Sequence, residues 1–256
     1  GGFHINTFRP EFVGSLGKWG YRLRFNLCKS FSVASEGVNT VVDIGKIFYE
    51  SDKWTFSFGK SLLNYGTYEF EWNPVNVLHY YEFQSNIPNV AAASATVGYK
   101  TPNHLLTLEL ANADRLPVLA DFSAGQTLYA PVNRQMQYSL SWRGNMLDNR
   151  LQTIWSYTLR HEAKDCVTNL LMLGTNMIFG KVNMQFDYNL SLGELDYLGL
   201  ATSDARKAGL IAADDMIRHT KYQQFVVDLG YWPTKRWNLF TKLGLNCSSS
   251  SDIDQL

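Results

Sequence analysis

Nowhere in the 256 residues do the roughly 18 consecutive apolar side chains of a membrane-crossing helix occur. That absence excludes a helical membrane protein. An excess of one charge is missing too: 23 Lys and Arg balance 23 Asp and Glu. The chain therefore has no electrostatic footprint for nucleic acid and no polybasic patch for a lipid surface. Cysteine is scarce, with Cys28, Cys166 and Cys247 lacking C-x-x-C spacing. An odd, scattered set indicates neither a disulfide framework nor a zinc site. The opening Gly1-Gly2-Phe3-His4 has no basic stretch followed by an apolar core, so a leader peptide, if there was one, has been removed or lies outside this chain, and export is inferred from the strand pattern alone. Enzyme signatures are absent as well: no G-x-S-x-G, P-loop, G-x-G-x-x-G or H-E-x-x-H, and His4, His79, His104, His161 and His219 are scattered. The expectation is a protein that is not an enzyme and takes no cofactor or metal.

What the chain does have is aromatic residues, 14% of the total, and alternation. From Val182 to Leu190, Val182, Met184, Phe186, Tyr188 and Leu190 share one phase, and Asn183, Gln185, Asp187 and Asn189 share the other. Period-two alternation of this kind is a strand with one apolar and one wet face. Residues 19–27, 135–143 and 151–160 repeat it, and weaker copies lie near 3–13, 38–49, 54–62, 90–100, 105–112, 167–179, 221–232 and 237–247. The reading is about twelve strands of roughly 9–12 residues, longer than soluble sheets use and matched to a tilted membrane strand.

The connections alternate too. Short polar turns are expected at Gly14–Lys18, Glu50–Lys53, Thr101–His104, Gly144–Asn149, Phe179–Lys181 and Pro233–Arg236. Between them lie connections that are mostly longer, at 28–37, 63–89, 112–132, 161–166 and 191–220. Sorting of loops by strand parity marks an all-β, transmembrane, antiparallel up-and-down β-barrel, with tight turns on one side and long external loops on the other. Trp19, Tyr21, Trp54, Phe56, Trp142, Trp155, Tyr157, Tyr231 and Trp237 sit on the apolar phase near strand ends, where an aromatic girdle meets lipid headgroups. The competing reading, a large soluble β protein with those aromatics as its core, leaves the wet phase unexplained. Residues 1–256 read as one barrel domain, incomplete at both ends, because the first strand runs into a short turn and the last leaves one. The tail from Cys247 to Ser251 reads as a further external loop, and the complete barrel is expected near sixteen strands.

Three segments carry a resemblance. Tyr21-Arg22-Leu23-Arg24-Phe25, Phe58-Gly59-Lys60 and Tyr65-Gly66-Thr67-Tyr68-Glu69-Phe70-Glu71-Trp72-Asn73-Pro74 resemble the Bacteroidota-type outer-membrane porins, distant relatives of the phosphate-selective porins. The resemblance implies a sixteen-strand barrel, a homotrimer and a loop folded into the lumen, with outer-membrane lipid and small polar solutes as partners. The phosphate-selective relatives use a ladder of Arg and Lys, whereas the inward phase here mixes signs.

The candidate pore-lining residues are Arg22, Arg24, Glu109, Arg143, Arg160, Asp187, Asp228 and Lys242, all on the polar phase. Arg22 and Arg24 have a second reading as structural struts paired with Glu109 or Asp187. Loop 63–89 is too long for a turn, and its Tyr68, Glu69, Glu71, His79 and Glu82, with Asn64, Trp72 and Tyr80, are candidates for a constriction facing basic wall residues. The alternative is an external loop packed over its neighbours or at a trimer contact. In loop 191–220, Leu210, Ala213 and Ile217 recur at helical spacing within 205–219, which predicts a short external helix. The functional expectation is passive diffusion of ions and small polar solutes across a bacterial outer membrane. Its rival is a plugged docking barrel whose loops bind another outer-membrane protein.

Overall fold

The computed structural model describes residues 8–28, 41–71, 79–87, 90–113, 135–164, 166–196, 198–212 and 216–251. Twelve strands form one sheet whose spatial order is the sequence order, every neighbour antiparallel. The strands are β1 (Glu11–Leu16), β2 (Trp19–Phe25), β3 (Val42–Glu50), β4 (Trp54–Leu62), β5 (Ala91–Lys100), β6 (His104–Asn112), β7 (Met136–Met146), β8 (Leu151–Ala163), β9 (Cys166–Phe179), β10 (Val182–Leu195), β11 (Arg218–Thr234) and β12 (Trp237–Ser250). Among the described residues three short helices stand outside the sheet: α1 (Tyr68–Glu71), α2 (Glu82–Asn86) and α3 (Leu200–Lys207). Among the described residues the sheet is not closed on itself: β1 and β12 are its two edges.

Tight turns link β1 to β2, β3 to β4, and so on to β11 and β12. At 180–181 a two-residue turn needs a left-handed backbone, which Gly180 supplies at φ 59° without a Cβ penalty. The opposite end carries the connections at 63–90 and 196–217 and a tight link at 164–165. That link is shorter than the expected 161–166, because β8 and β9 stay paired up to Ala163 and Cys166. The loops expected at 28–37 and 112–132 lie almost wholly outside the described residues.

Register fixes the faces. Phe186 pairs with Thr175 and Val227 in one phase, and Asp187 pairs with Gly174 and Val226 in the other. The aromatic and aliphatic phase is exposed across the sheet: Trp19 is 59% accessible, Phe58 68%, Leu108 56% and Leu243 63%. Toward the tight turns its rings touch one another, Trp19 on Tyr49, Trp54 on Tyr99 and Trp142 on Trp155, with centroids 5.0–5.1 Å apart. The opposite phase holds Gln137, Ser139, Thr158, Asn189 and Gln224, all buried. They are joined by bonds such as Asn189 Nδ2 to Gln224 Oε1 (3.1 Å) and Gln224 Nε2 to Asn246 Oδ1 (2.8 Å). A sheet whose apolar side is bare and whose polar side is covered is inverted relative to a soluble sandwich.

Three sequence expectations shift. The first strand, expected at 3–13, extends past 13 to Leu16, because the turn closes on Gly17 and Lys18 alone and Ser15 stays paired with Gly20, while residues 3–7 lie outside the described residues. The serine tail, expected as a loop, continues β12 to Ser250, whose partner is Thr220. The helix expected within 205–219 lies at Leu200–Lys207 instead. Gly209 at φ 71° ends it, and Ile217 is buried just before β11.

Candidate functional site

The described parts of the connections at 63–90 and 196–217 fold onto the polar face of the sheet. Leu63, Tyr65, Phe83 and Ile87 from 63–90 meet Leu198, Ala201, Ala205 and Ile217 from 196–217. The wall closes this cluster with Ala92, Ala111, Leu170, Met172 and Tyr222. Leu170 and Met172 are the exceptions to a polar inner face on β9, and both are fully covered. Burying a side chain such as Phe83, 1% accessible, contributes about 1.5–3 kcal/mol, enough to hold a loop that has few hydrogen bonds of its own.

The 64–71 segment is anchored residue by residue. Asn64 donates from its backbone N–H (3.1 Å) and its Nδ2 (3.0 Å) to the two carboxylate oxygens of Glu109 on β6. Gly66 N–H donates to Ser156 Oγ on β8 at 2.8 Å. Asp187 on β10 accepts from Thr67 Oγ1 (2.7 Å), Tyr68 N–H (3.0 Å) and Glu69 N–H (3.2 Å). Glu69 N–H also lies 3.4 Å from Thr67 Oγ1, so Thr67 and the wall carboxylate together cap the first amides of α1. Beyond it, Glu71 pairs with Arg143 Nη2 on β7 (2.5 Å), and Glu69 pairs with Lys242 on β12. Lys242 Nζ also donates to the His79 carbonyl (2.8 Å) and stands 5.3 Å from the centre of the Tyr81 ring. Asn246 Nδ2 donates to Glu82 Oε2 at 3.1 Å. Burial pushes the Glu69 carboxyl up to about 6, against the hydrogen bond and charge of Lys242. Burial, with the Asp187 charge adding to it, pushes the Tyr68 phenol up to about 12.

Several sequence-derived candidates therefore meet on one stretch of loop: Glu69 with Lys242, Glu71 with Arg143, His79 with Lys242. Asp228 joins them as the cross-strand neighbour of Lys242. Trp72 lies outside the described residues. Glu109 and Asp187 are on the inner face as expected but buried, at 4% and 3% accessibility, beneath the loop they hold. Arg160 is covered completely, its Nε 2.7 Å from Glu162 and its Nη1 donating to Gln137 (3.2 Å), so it is a buried strut rather than a water-facing charge. Arg22 and Arg24 do not reach Glu109 or Asp187. Arg22 pairs with Glu11, and Arg24 lies 3.8 Å from Asp43, which Arg9 also meets at 3.1 Å. Among the described residues no disulfide joins Cys28, Cys166 or Cys247.

Residues that sequence reasoning missed include Thr67, Ser156, Gly174, Glu162 and Asp43. Gly66 carried a usable signal, a glycine set between Tyr65 and Thr67 in a bulky loop, which indicates close backbone approach. A Cβ on Gly66 would meet the backbone of Ser156, Met172 O at 2.5 Å and Trp155 C at 2.7 Å.

The family described as phosphate-selective porin O and P matches residues 2–248. No curated protein sequence matches the chain. Among solved structures, the chain is similar to the outer membrane channel DcaP of Acinetobacter baumannii, at TM-score 0.56 and 11% identity over 93% of this chain. It spans 65% of the length of that channel. It also matches the anion-selective porin from Comamonas acidovorans (TM-score 0.45, 13% identity, 92% of this chain and 66% of that one). A third match is the trimer form of OmpT from Vibrio cholerae (TM-score 0.45, 9% identity, 96% and 82%).

Proposed function

This chain belongs to the family of phosphate-selective porins O and P, and from that premise we propose that it forms a water-filled outer-membrane channel for passive diffusion of ions and small polar solutes. The observation that carries the reading is the two-faced sheet: an exposed apolar phase with aromatic rings toward its tight turns, and a polar phase onto which an internal loop is fastened. A lipid-facing exterior and a wet interior explain both faces together. The complete barrel has about sixteen strands, twelve of them in this chain, and assembles as a homotrimer. The resemblance of Tyr65–Pro74 supports assigning it to the Bacteroidota-type subgroup. Passage down a gradient calls for no catalytic residue and no cofactor.

Loop 63–89 is the constriction in this reading, with the exposed Glu71, His79 and Glu82 facing the path and the buried Tyr68 and Glu69, expected there as well, set behind them. Arg22, Arg24, Arg143, Asp228 and Lys242 are the wall groups that share it. The basic groups are mostly paired with acids: Arg22 with Glu11, Arg143 with Glu71, Lys242 with Glu69. Paired charges do not make a ladder along which an anion is handed from one cation to the next, so discrimination between anions and cations is weak. A second reading rests on the apolar cluster built by two loops inside the sheet. If it fills the lumen, the barrel is plugged and its loops dock another outer-membrane protein.

Planar-bilayer recording of the purified full-length protein, with the reversal potential taken under a salt gradient, tests both. Discrete steps on the order of a nanosiemens, the expectation for an aqueous porin lumen, support diffusion. A folded, inserted and silent barrel moves the assignment to docking. A strongly anion-shifted reversal potential overturns the weak-selectivity reading.

A further inference from the structure

We propose that Asp187 is the positioning residue of the constriction: a wall carboxylate that latches loop 63–89 and thereby sets the width and charge of the path. This rests on the diffusion reading above. A carboxylate on the inner face of a channel has two uses. It can present charge to passing solutes, or it can commit its lone pairs to protein.

The geometry decides for the second. Asp187 is 3% accessible, and both oxygens are taken: Oδ1 by Tyr68 N–H, Oδ2 by Thr67 Oγ1 and Glu69 N–H. All three donors come from consecutive residues of one loop, so the carboxylate reads a single backbone conformation. The wall opposite is cut away to admit it. Gly174, the register partner of Asp187 on β9, has no side chain, and a Cβ there would meet Asp187 Oδ1 at 2.8 Å, Gly66 O at 3.1 Å and Tyr68 Cδ2 at 3.1 Å.

The latch matters because two acids share its turn. Glu69 and Glu71 leave that turn toward Lys242 on β12 and Arg143 on β7, two strands far apart in the sheet. Fixing residues 67–69 fixes where both acids stand. Asp187 touches no solute; it acts through Glu69 and Glu71.

The test is single-channel recording of the full-length protein and of Asp187→Asn, Asp187→Ala, Thr67→Val and Asp187→Ala/Thr67→Val, with heat-modifiable mobility on gels as the check on barrel assembly. Wild type is expected to give steady steps. Asp187→Ala is expected to give at least a two-fold larger step with added open-channel noise, and Asp187→Asn, which keeps one acceptor oxygen, falls between. The double variant is expected to match Asp187→Ala, because the hydroxyl joins the loop to the wall through its bond to Asp187, and that acceptor is gone. Assembled Asp187→Ala with wild-type steps overturns the proposal. Where Asp187→Ala does not assemble, Thr67→Val alters the loop and leaves the wall intact, and a step and noise equal to wild type then overturn it. A silent wild type counts against the channel reading instead. The latch is then read by maleimide labelling of a Glu71→Cys reporter, expected faster with Ala at 187 and overturning the proposal if equal.

Discussion

Replacing Gly66 with alanine adds one methyl group at the tightest approach between loop and wall. The new Cβ would sit 2.5 Å from Met172 O and 2.7 Å from Trp155 C, against 3.4 Å or more for ordinary contact. Both obstacles are backbone of paired strands, so the loop has to yield, by about 1 Å. That retreat stretches Gly66 N–H to Ser156 Oγ from 2.8 Å, and the three Asp187 bonds from 2.7–3.2 Å, beyond hydrogen-bonding distance. At a net of roughly 1 kcal/mol each, loss of all four costs about 4 kcal/mol, close to a thousandfold in the population of the docked loop. The wall itself is untouched, so folded yield should equal wild type. Bilayer recording should show a larger and noisier step, and proteolysis of intact vesicles should cut the loop faster. Gly45→Ala is the matched control, since its Cβ meets only Val42 Cγ1 at 3.3 Å and Leu23 Cδ2 at 3.9 Å. Wild-type conductance and protease resistance in Gly66→Ala would refute the docked-loop reasoning.

Three further outcomes are expected. Leu108→Arg, on the bare apolar phase, should destabilise the inserted barrel by about 2–4 kcal/mol while Thr107→Arg on the inner phase does not; a shared urea midpoint in vesicles would reverse the assignment of faces. Glu69, held near 6 by burial, should protonate as the pH falls from 8 to 5 and leave Lys242 without its counter-charge. The reversal potential should therefore shift toward anions across pH 6, and the shift should vanish in Glu69→Gln. Because this value is raised above the usual 4.5, protonation steadies the docked loop, and that contribution is lost as pH rises through 6. Glu162→Gln leaves the fully covered Arg160 guanidinium without its charge partner, a loss of roughly 3–5 kcal/mol that should lower the unfolding midpoint; an unchanged midpoint would mean Arg160 is held chiefly by Gln137.

Strands were legible where one phase is largely apolar. Trp54, Phe56, Phe58 and Leu62 share a phase that only Lys60 interrupts, and the expected and observed limits of that strand coincide. Legibility failed where both phases are polar: Ser248, Ser249 and Ser250 are strand only because β11 offers them backbone partners. It failed also for the helix, since the 205–219 spacing is interrupted by Gly209 while Ala201, Thr202 and Ala205 supply the buried face. Inner-phase residues were correctly sorted from outer ones, but which of them face water was not visible. Asp187 and Asp228 occupy the same phase, and only the arrival of residues 67–69 makes one an anchor. That information is non-local, and alternation carries none of it.

Wall and loop differ in the sequence distance their contacts span. Every strand pairs with its immediate neighbour in the chain, so the wall can be laid down hairpin by hairpin. The loop cannot dock by that route. Its bond from Thr67 to Asp187 reaches across 120 residues, and the one from Lys242 to Glu69 across 173. The loop is made early and its last attachment point late. A sheet built as far as β8 already offers the loop Glu109, Arg143 and Ser156, but Asp187 arrives only with β10 and Lys242 only with β12. The loop's fastening thus accumulates strand by strand, and its most distant ion pair, Glu69 with Lys242, is the last to form.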